Sequence, residues 1–188
     1  SPTALAELAI EPERTALLVV DMQRYSALPA RVLAANLRLR DCFRAHGLPV
    51  VFLRVGSLLP DAQDQHVKRR LSWLRPPDAP TPYRCPRGSE GYEVVPELAP
   101  LPTELVLDKN ATSAFSASPL DLYLRNLGVE NLVVTGTSTN HCVDHTARDA
   151  ADRGYNVILV ADACADGSPA AHCATLETFA RHFGAVRT

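Results

Sequence analysis

Lysine is scarce in this chain. Of its nineteen basic residues seventeen are arginine, and the two lysines are Lys68 and Lys109. The formal net charge is −2, so the chain lacks the excess of positive charge with which a general nucleic-acid-binding protein holds phosphates. It also lacks any uninterrupted apolar run near the ~20 residues that a membrane-spanning helix needs. We therefore expect neither a nucleic-acid partner nor a membrane partner.

The cysteines lack the pattern of a disulfide framework or of a paired redox motif. There are five, an odd number, and no two of them are separated by two residues. A chain of 188 residues can bury a sizeable core without disulfides. We therefore predict a single domain over residues 1–188 in a reducing, cytoplasmic compartment, with most thiols acting as small buried apolar groups. Cys85 and Cys173 are predicted to lie outside the functional site.

Short apolar runs alternate along the chain with segments of helical spacing. The predicted strands lie at 16–20, 49–55, 105–107, 132–135 and 157–160, with a short edge strand at 185–186. The predicted helices lie at 29–46, 119–127, 141–153 and 169–183. Unbroken runs such as the first strand are typical of parallel strands that are buried on both faces. The alternation predicts an α/β fold with a mostly parallel sheet and right-handed crossovers.

The segment at 56–102 interrupts this alternation. It holds nine of the fifteen prolines, and its middle has no strand or helix pattern. An insert of this length inside a compact domain is usually functional or disordered. We predict that it covers the active site; an ordinary surface excursion or an oligomer contact is the alternative.

Three reactive side chains stand where predicted strands end. Asp21 follows the first strand, Lys109 follows the third, and the turn after the fourth leads to Cys142 in the first turn of a helix. Ligands of open α/β sheets bind beyond the carboxyl ends of the strands, so a carboxylate, an ammonium and a thiol are expected to meet there. The helix N-terminus and the nearby Lys109 are expected to lower the pKa of the Cys142 thiol.

Each of these residues also has an ordinary structural interpretation. Asp21 is compatible with a helix cap or a surface ion pair, Lys109 with a solvated lysine, and Cys142 with a buried structural thiol. A tunable point charge is nevertheless a reason to use lysine at 109 in a chain that otherwise prefers arginine.

Several motifs together resemble the isochorismatase-like cysteine hydrolases. They read Leu-Val-Val-Asp-Met-Gln at 18–23, Asp-Lys-Asn-Ala-Thr-Ser-Ala-Phe at 108–115 and Gly-Thr-Ser-Thr-Asn-His-Cys-Val at 136–143. The resemblance implies a three-layer, Rossmann-like α/β fold in which helices flank a six-stranded parallel sheet. It also implies that Asp21, Lys109 and Cys142 form a catalytic triad.

The resemblance implies further features of the site. A cis peptide between Thr137 and Ser138 would turn the Ser138 N–H toward the substrate, where it would form an oxyanion hole with the Cys142 N–H. No cofactor is expected, and a homo-oligomer, either a dimer or a tetramer, is implied. The expected substrate-pocket residues are Thr137, Asn140, Phe115 and Arg24.

Phe115 and Arg24 have alternative roles, as a core aromatic and a solvated cation respectively. With Arg54, Arg84 and Arg87, Arg24 is a candidate for binding a substrate carboxylate. Trp73 and Tyr83 in the insert are further candidates for the pocket wall.

The chain departs from two branches of that family. It has no Asp-x-His cluster after the second strand, where nicotinamidases bind a metal, and His66 stands alone there. No metal is therefore expected, and nicotinamide is a poor candidate substrate. True isochorismatases lack the catalytic cysteine, so Cys142 argues against hydrolysis of a vinyl ether. The Thr139-Asn140 pair is closer to the ureidoacrylate and biuret hydrolases, with a helix cap as the alternative role of Asn140. His141 and His145 have the spacing of a zinc-binding helix but lack its glutamate, so we predict no zinc there.

These features predict an enzyme, a cysteine-dependent hydrolase. It would cleave the C–N bond of a small amide, ureido or carbamoyl substrate through a thioester. Hydrolysis of another small substrate, such as an ester, imide or enol ether, is the alternative reaction. A catalytically idle binding protein is the alternative of a different class.

Overall fold

The computed structural model describes residues 10–26, 28–67 and 85–188. Within these ranges the strands are β1 (Thr15–Val20), β2 (Val50–Val55), β3 (Leu105–Lys109), β4 (Asn131–Thr137), β5 (Asn156–Ala165) and β6 (Ala185–Arg187). The helices are α1 (Ala30–Ala45), α2 (Ala114–Ala117), α3 (Leu120–Asn126), α4 (Asp144–Asp152) and α5 (Pro169–His182). A π-helical turn, Thr139–Val143, leads into α4, and 3-10 turns lie at Pro12–Arg14, Glu90–Tyr92 and Pro96–Leu98.

The strands form one sheet of order β3-β2-β1-β4-β5-β6, in which every neighbouring pair is parallel. This confirms the predicted six-stranded parallel sheet. The chain winds outward in one direction from β1 to β3 and in the other from β4 to β6. The direction of winding therefore reverses between β1 and β4. The carboxyl ends of these two strands form the topological switch point, where α/β sheets bind ligands.

Helices cover both faces of the sheet and bury the strands between them. All six residues of β1 are buried, as the unbroken apolar run predicted. On one face, the core includes Val32 and Phe43 of α1. On the other face, it includes Leu124 of α3, Ala147 of α4 and Phe179 of α5. The fold therefore has three layers. Among the described residues, none of the helices is long and apolar enough to cross a membrane.

Several predicted element bounds differ from the structure, and the two largest differences are at the fifth strand and at the helix expected from 141. The fifth strand was expected to end at 160, but β5 continues to Ala165 because its pairing with β4 resumes beyond an irregularity, with Gly136 opposite Cys164. The helix expected from 141 begins instead with the π-helical turn, in which the Ser138 carbonyl accepts a hydrogen bond from the Val143 N–H at 3.2 Å.

The last described part of the predicted insert lies beside the carboxyl ends of β1 and β2. We call residues 85–98 the returning segment. It forms an antiparallel bridge from Val94 to Gln23, just after β1, and a parallel bridge from Pro86 to Ser57, just after β2. Lys68, Trp73, Tyr83 and Arg84 lie outside the described residues.

Candidate active site

Asp21, Lys109 and Cys142 meet at the carboxyl ends of the strands. The Lys109 ammonium donates a hydrogen bond to Asp21 Oδ2 at 2.9 Å, and Cys142 interacts with both partners. Lys109 is fully buried, and Asp21 and Cys142 are 1% and 6% exposed. The structure therefore brings together the carboxylate, the ammonium and the thiol in a place with little access for water.

The sheet order explains how Lys109 reaches Asp21. Lys109 ends β3 and Asp21 follows β1, so β2 lies between them and the two strands are roughly 10 Å apart. The long stem of lysine spans much of this separation within the protein, and the Ala111 carbonyl accepts a second hydrogen bond from its Nζ at 3.1 Å. The ammonium is therefore held in one position by two acceptors.

A close approach of β4 to β1 brings Cys142 to Asp21. At Gly136 the backbone has φ +116, and a Cβ atom there would lie 1.9 Å from the Val20 carbonyl oxygen. Only glycine fits this position. One residue further on, the Thr137 hydroxyl donates a hydrogen bond to the Asp21 carbonyl at 3.1 Å. The peptide bond from Thr137 to Ser138 is cis.

The pKa of the Cys142 thiol is raised, whereas the sequence predicted that it would be lowered. Burial, and then the Asp21 carboxylate, raise the pKa of Cys142 to about 12, and Lys109 only partly offsets them. Burial acts to lower the pKa of Lys109, but Asp21 and Cys142 outweigh it, so the pKa of Lys109 lies above its ordinary value. Burial and the Asp21 carboxylate therefore favour a neutral thiol at Cys142, beside the ion pair of Asp21 and Lys109.

A cavity of about 140 Å³ opens onto Cys142. Its described lining residues are Asp21, Tyr25, Val55, Cys85, Thr137, Ser138, His141 and Cys142. A larger groove of about 530 Å³ lies at the other ends of the strands, beside Pro49 and Leu105, and none of the three reactive residues lines it. The smaller cavity is therefore the candidate substrate site.

Three residues predicted for the pocket are not among its described lining residues. Arg24 instead pairs with Glu90 at 2.6 Å. Phe115 belongs to the core, where its ring lies 5.8 Å from that of Tyr155. Asn140 is exposed, and its backbone N–H donates to Asp166 Oδ2 at 2.9 Å.

The other described arginines proposed to bind a carboxylate are already paired with acidic side chains. Arg54 contacts Asp108 at 2.8 Å and Glu93 at 2.6 Å, and Arg87 contacts Asp108 at 3.1 Å. These pairs join the returning segment to β2 and β3. Like Arg24, these arginines are not among the residues described as lining the cavity.

The sequence interpretation missed four residues of the cavity wall. Tyr25, Val55 and His141 were given no role there, and Cys85 was expected to lie outside the site. The position of His141 next to Cys142 was a usable signal. No local signal identified Cys85, because its place depends on the path of the returning segment.

His141 and His145 lie along one side of the π-helical turn and α4. Their rings are 6.1 Å apart, and His145 Nδ1 forms a hydrogen bond with the Thr112 hydroxyl at 2.8 Å. Across the part of the chain that the structure describes, no group of three or more His, Cys, Asp or Glu side chains is arranged to hold a metal ion.

Comparison with known proteins identifies the family. A family model described as "Isochorismatase domain" matches residues 15–188. The ureidoacrylate amidohydrolase RutB of Methylobacterium radiotolerans is 33% identical over 208 aligned positions, which cover 98% of this chain and 80% of that protein.

Solved structures agree with this assignment. An isochorismatase family protein from Burkholderia thailandensis superimposes with a TM-score of 0.81 and 31% identity, covering 95% of this chain and 93% of that one. The N-carbamoylsarcosine amidase of Thermoplasma acidophilum gives a TM-score of 0.75 and 30% identity, covering 93% and 95%. The chain therefore belongs to the isochorismatase family and is a hydrolase of that family.

Proposed function

We propose that this hydrolase cleaves the C–N bond of a small amide, ureido or carbamoyl compound, with Cys142 as the nucleophile. The observation that carries the proposal is the buried cluster of Asp21, Lys109 and Cys142, of which Asp21 and Cys142 line a small cavity. A thiol, a base within reach of it and a fixed cation are the groups that covalent acyl transfer needs. The names of two similar proteins, an amidohydrolase and an amidase, support a C–N bond as the target.

The first step is the formation of the nucleophile. Because the pKa of Cys142 is raised to about 12 by burial and by Asp21, few thiolates exist at neutral pH. Asp21 takes the thiol proton, and Lys109 then pairs with the thiolate instead of the carboxylate. The charge of the cluster is the same before and after the transfer, so no additional charge is buried.

Attack and release follow in the same cavity. The Cys142 sulfur forms a bond to the substrate carbonyl carbon, and the oxyanion accepts hydrogen bonds from the N–H groups of Ser138 and Cys142. Asp21 returns its proton to the leaving nitrogen, the C–N bond breaks, and a thioester remains. Water then gives a proton to Asp21 while its oxygen bonds to the thioester carbon, the C–S bond breaks to release the acid, and Asp21 returns the proton to the Cys142 sulfur, which restores the thiol and the carboxylate.

This mechanism uses only protein groups and water, and it requires no cofactor. Oligomerisation and a cytoplasmic location stay predictions of the proposal, since neither enters the chemistry.

The test is the release of ammonia or amine from a panel of small amides, ureas and carbamoyl compounds. Cys142→Ala is expected to lower the rate at least 100-fold, because the covalent step is lost. Cys164→Ala is the matched control, since it removes a buried thiol that does not line the cavity.

Equal rates in wild-type protein and Cys142→Ala would contradict the proposal. Activity confined to esters, imides or enol ethers would favour the alternative reaction. No turnover of either panel by wild-type protein would favour an idle binding protein.

A further inference from the structure

The candidate cavity has two different sides. Asp21 lies at its middle because β1 lies between β2 and β4. On the β4 side are the residues of the proposed chemistry, Ser138 and Cys142. On the β2 side the described lining consists of Val55, at the end of β2, and Cys85, from the returning segment. Val55 and Cys85 therefore bound the cavity on the side away from Ser138 and Cys142, and Tyr25, which follows β1, lines it as well.

The backbone of Cys85 is fixed against β2. Its carbonyl accepts a hydrogen bond from the Ser57 N–H at 3.2 Å. A Cβ atom on Gly56 would lie 2.1 Å from the same carbonyl oxygen, so the two segments approach as closely as glycine permits. Cys85 is 3% exposed. The backbone position of Cys85 is therefore set by contacts with the backbone just after β2, and these contacts do not involve a flexible side chain.

Gln23 joins the two residues of this side. Its amide nitrogen lies 3.6 Å from Cys85 Sγ and donates hydrogen bonds to the carbonyls of Val55 at 3.1 Å and Tyr92 at 2.8 Å. Its oxygen accepts a hydrogen bond from the Val55 N–H at 2.8 Å. Because Gln23 is fully buried and follows Asp21 by two residues, it fixes Val55 and Cys85 relative to the catalytic cluster.

The Cys85 thiol affects a substrate through its steric bulk and not through a charge. Burial, with Asp21 and Glu93 adding to it, raises the pKa of Cys85 to about 12, so the thiol is neutral at pH 7. Val55 is apolar. Neither side chain therefore offers a charge to a substrate, and both act as walls of fixed position.

The cavity is small for a ligand site. Its volume of about 140 Å³ is below the roughly 300–1,000 Å³ of ordinary ligand pockets. An apolar protein cavity of about 150 Å³ holds benzene, which gives a measure of what fits.

We propose that Cys85, together with Val55, is a specificity-determining wall that limits the part of the substrate lying beside Cys142 to about the size of benzene. The inference rests on the proposed function, in that Cys142 is taken as the nucleophile. It adds the size of the substrate group that lies beside Cys142 and the residue that sets this limit.

The test compares two electrophiles of different bulk, 2-iodoacetamide and N-cyclohexyl-2-iodoacetamide. The alkylation rate of each cysteine is followed by mass spectrometry of its peptide. For each cysteine, the rate with the bulky reagent is divided by the rate with the small one. Cys42 and Cys173 are exposed and report the intrinsic ratio within the same molecule. In wild-type protein the ratio at Cys142 is expected to be at least about tenfold below that at these two thiols.

Two substitutions change the wall in opposite directions. Cys85→Ala removes one heavy atom and is expected to raise the ratio at Cys142 about tenfold, whereas Cys85→Val adds bulk and is expected to lower it. Cys164→Ala is expected to leave the ratio unchanged, because Cys164 does not line the cavity.

An equal ratio at Cys142 and at the exposed thiols, or a ratio that neither Cys85 variant moves, would overturn the inference. Because alkylation needs no turnover, this outcome is separate from a failure of amide hydrolysis. If the protein cleaves no amide but still shows the size selection, the proposed reaction is refuted and the role of Cys85 as a size-limiting wall still stands.

Discussion

Lys109 is held by two acceptors, Asp21 Oδ2 and the Ala111 carbonyl, in a fully buried position. A guanidinium is wider and presents a planar fork, so it cannot occupy this point without moving Asp21. We expect Lys109→Arg to lower kcat/KM for the best amide substrate by about 100-fold, since small displacements of a catalytic group are costly. Steady-state kinetics of ammonia release would measure this change.

A reverse exchange on the surface is the control for Lys109→Arg. Arg38 lies on α1 and its side chain is 69% exposed, so Arg38→Lys is expected to retain full activity. Full activity in Lys109→Arg, with an unchanged circular dichroism spectrum, would show that a compact ammonium is not required.

The sequence alone was sufficient to predict that Asp21, Lys109 and Cys142 meet, because each lies at or beyond the end of a strand and parallel strands end on the same side of the sheet. It was not sufficient for the electrostatics of Cys142. The prediction of a lowered pKa used two local features, the helix start and the nearby cation. The structure adds burial and the Asp21 carboxylate, which together raise the pKa of Cys142. Both depend on packing between distant segments, and for this reason the local pattern gave the wrong direction.

At the scale of elements, the end of β4 controls the distance between Cys142, the proposed nucleophile, and Asp21, its proposed base. Gly136 pairs with Val20 of β1 on one side and with Cys164 of β5 on the other. A side chain at Gly136 would push β4 away from β1, because its Cβ would overlap the Val20 carbonyl. Thr137, Ser138 and Cys142 would move with it.

We therefore expect Gly136→Ala to cost more than ~2 kcal/mol of unfolding free energy and to reduce amide hydrolysis at least tenfold. Gly128→Ala is the matched control: Gly128 also has positive φ, +68, but a Cβ there meets nothing within 4 Å. It is expected to cost only about 1–2 kcal/mol and to leave activity intact. Urea unfolding and initial rates would measure both effects, and equal losses in the two variants would contradict the close-approach argument.

The pocket walls were less predictable than the strand ends. Arg24, Phe115 and Asn140 were placed in the pocket because they lie within the motifs or directly after one. Their side chains or backbone groups instead find partners in Glu90, the core and Asp166. Cys85 lies far from every motif and reaches the cavity only through the pairing of the returning segment with Ser57 and Gln23. Such pairings between distant segments leave no local pattern to interpret.

At the scale of the molecule, the parallel sheet was predictable because strand and helix patterns alternate along the whole chain. The strand order was not, since alternation does not state where the chain reverses its winding. That reversal lies between β1 and β4. Asp21 and Cys142 lie far apart in the sequence, but the reversal makes the strands that lead to them neighbours in the sheet. The proposed catalytic cluster is therefore a product of the global fold, and its stability is that of the fold.

The buried thiols make the stability of the whole molecule sensitive to alkali. The pKa of each of Cys85, Cys142 and Cys164 is raised, chiefly by burial, from 9.0 to about 12. Above pH 9 the unfolded chain loses these protons first, so the native state binds more protons and its stability falls as pH rises toward 12. Each thiol contributes a slope of at most about 1.4 kcal/mol per pH unit in this range.

We expect the unfolding free energy, measured by urea titration with a reductant present, to be nearly level from pH 7 to 8.5 and to fall steeply between pH 9 and 10.5. Cys164→Ala removes one of the three contributions without entering the cavity, so its slope should be shallower than that of wild-type protein by up to about 1.4 kcal/mol per pH unit. Cys173→Ala, which replaces an exposed thiol, is the control. Parallel pH dependences for wild-type protein and Cys164→Ala would mean that the interior accommodates a thiolate. In that case the neutral resting thiol inferred for Cys142 would lose its physical basis, because both arguments depend on the same cost of burying charge.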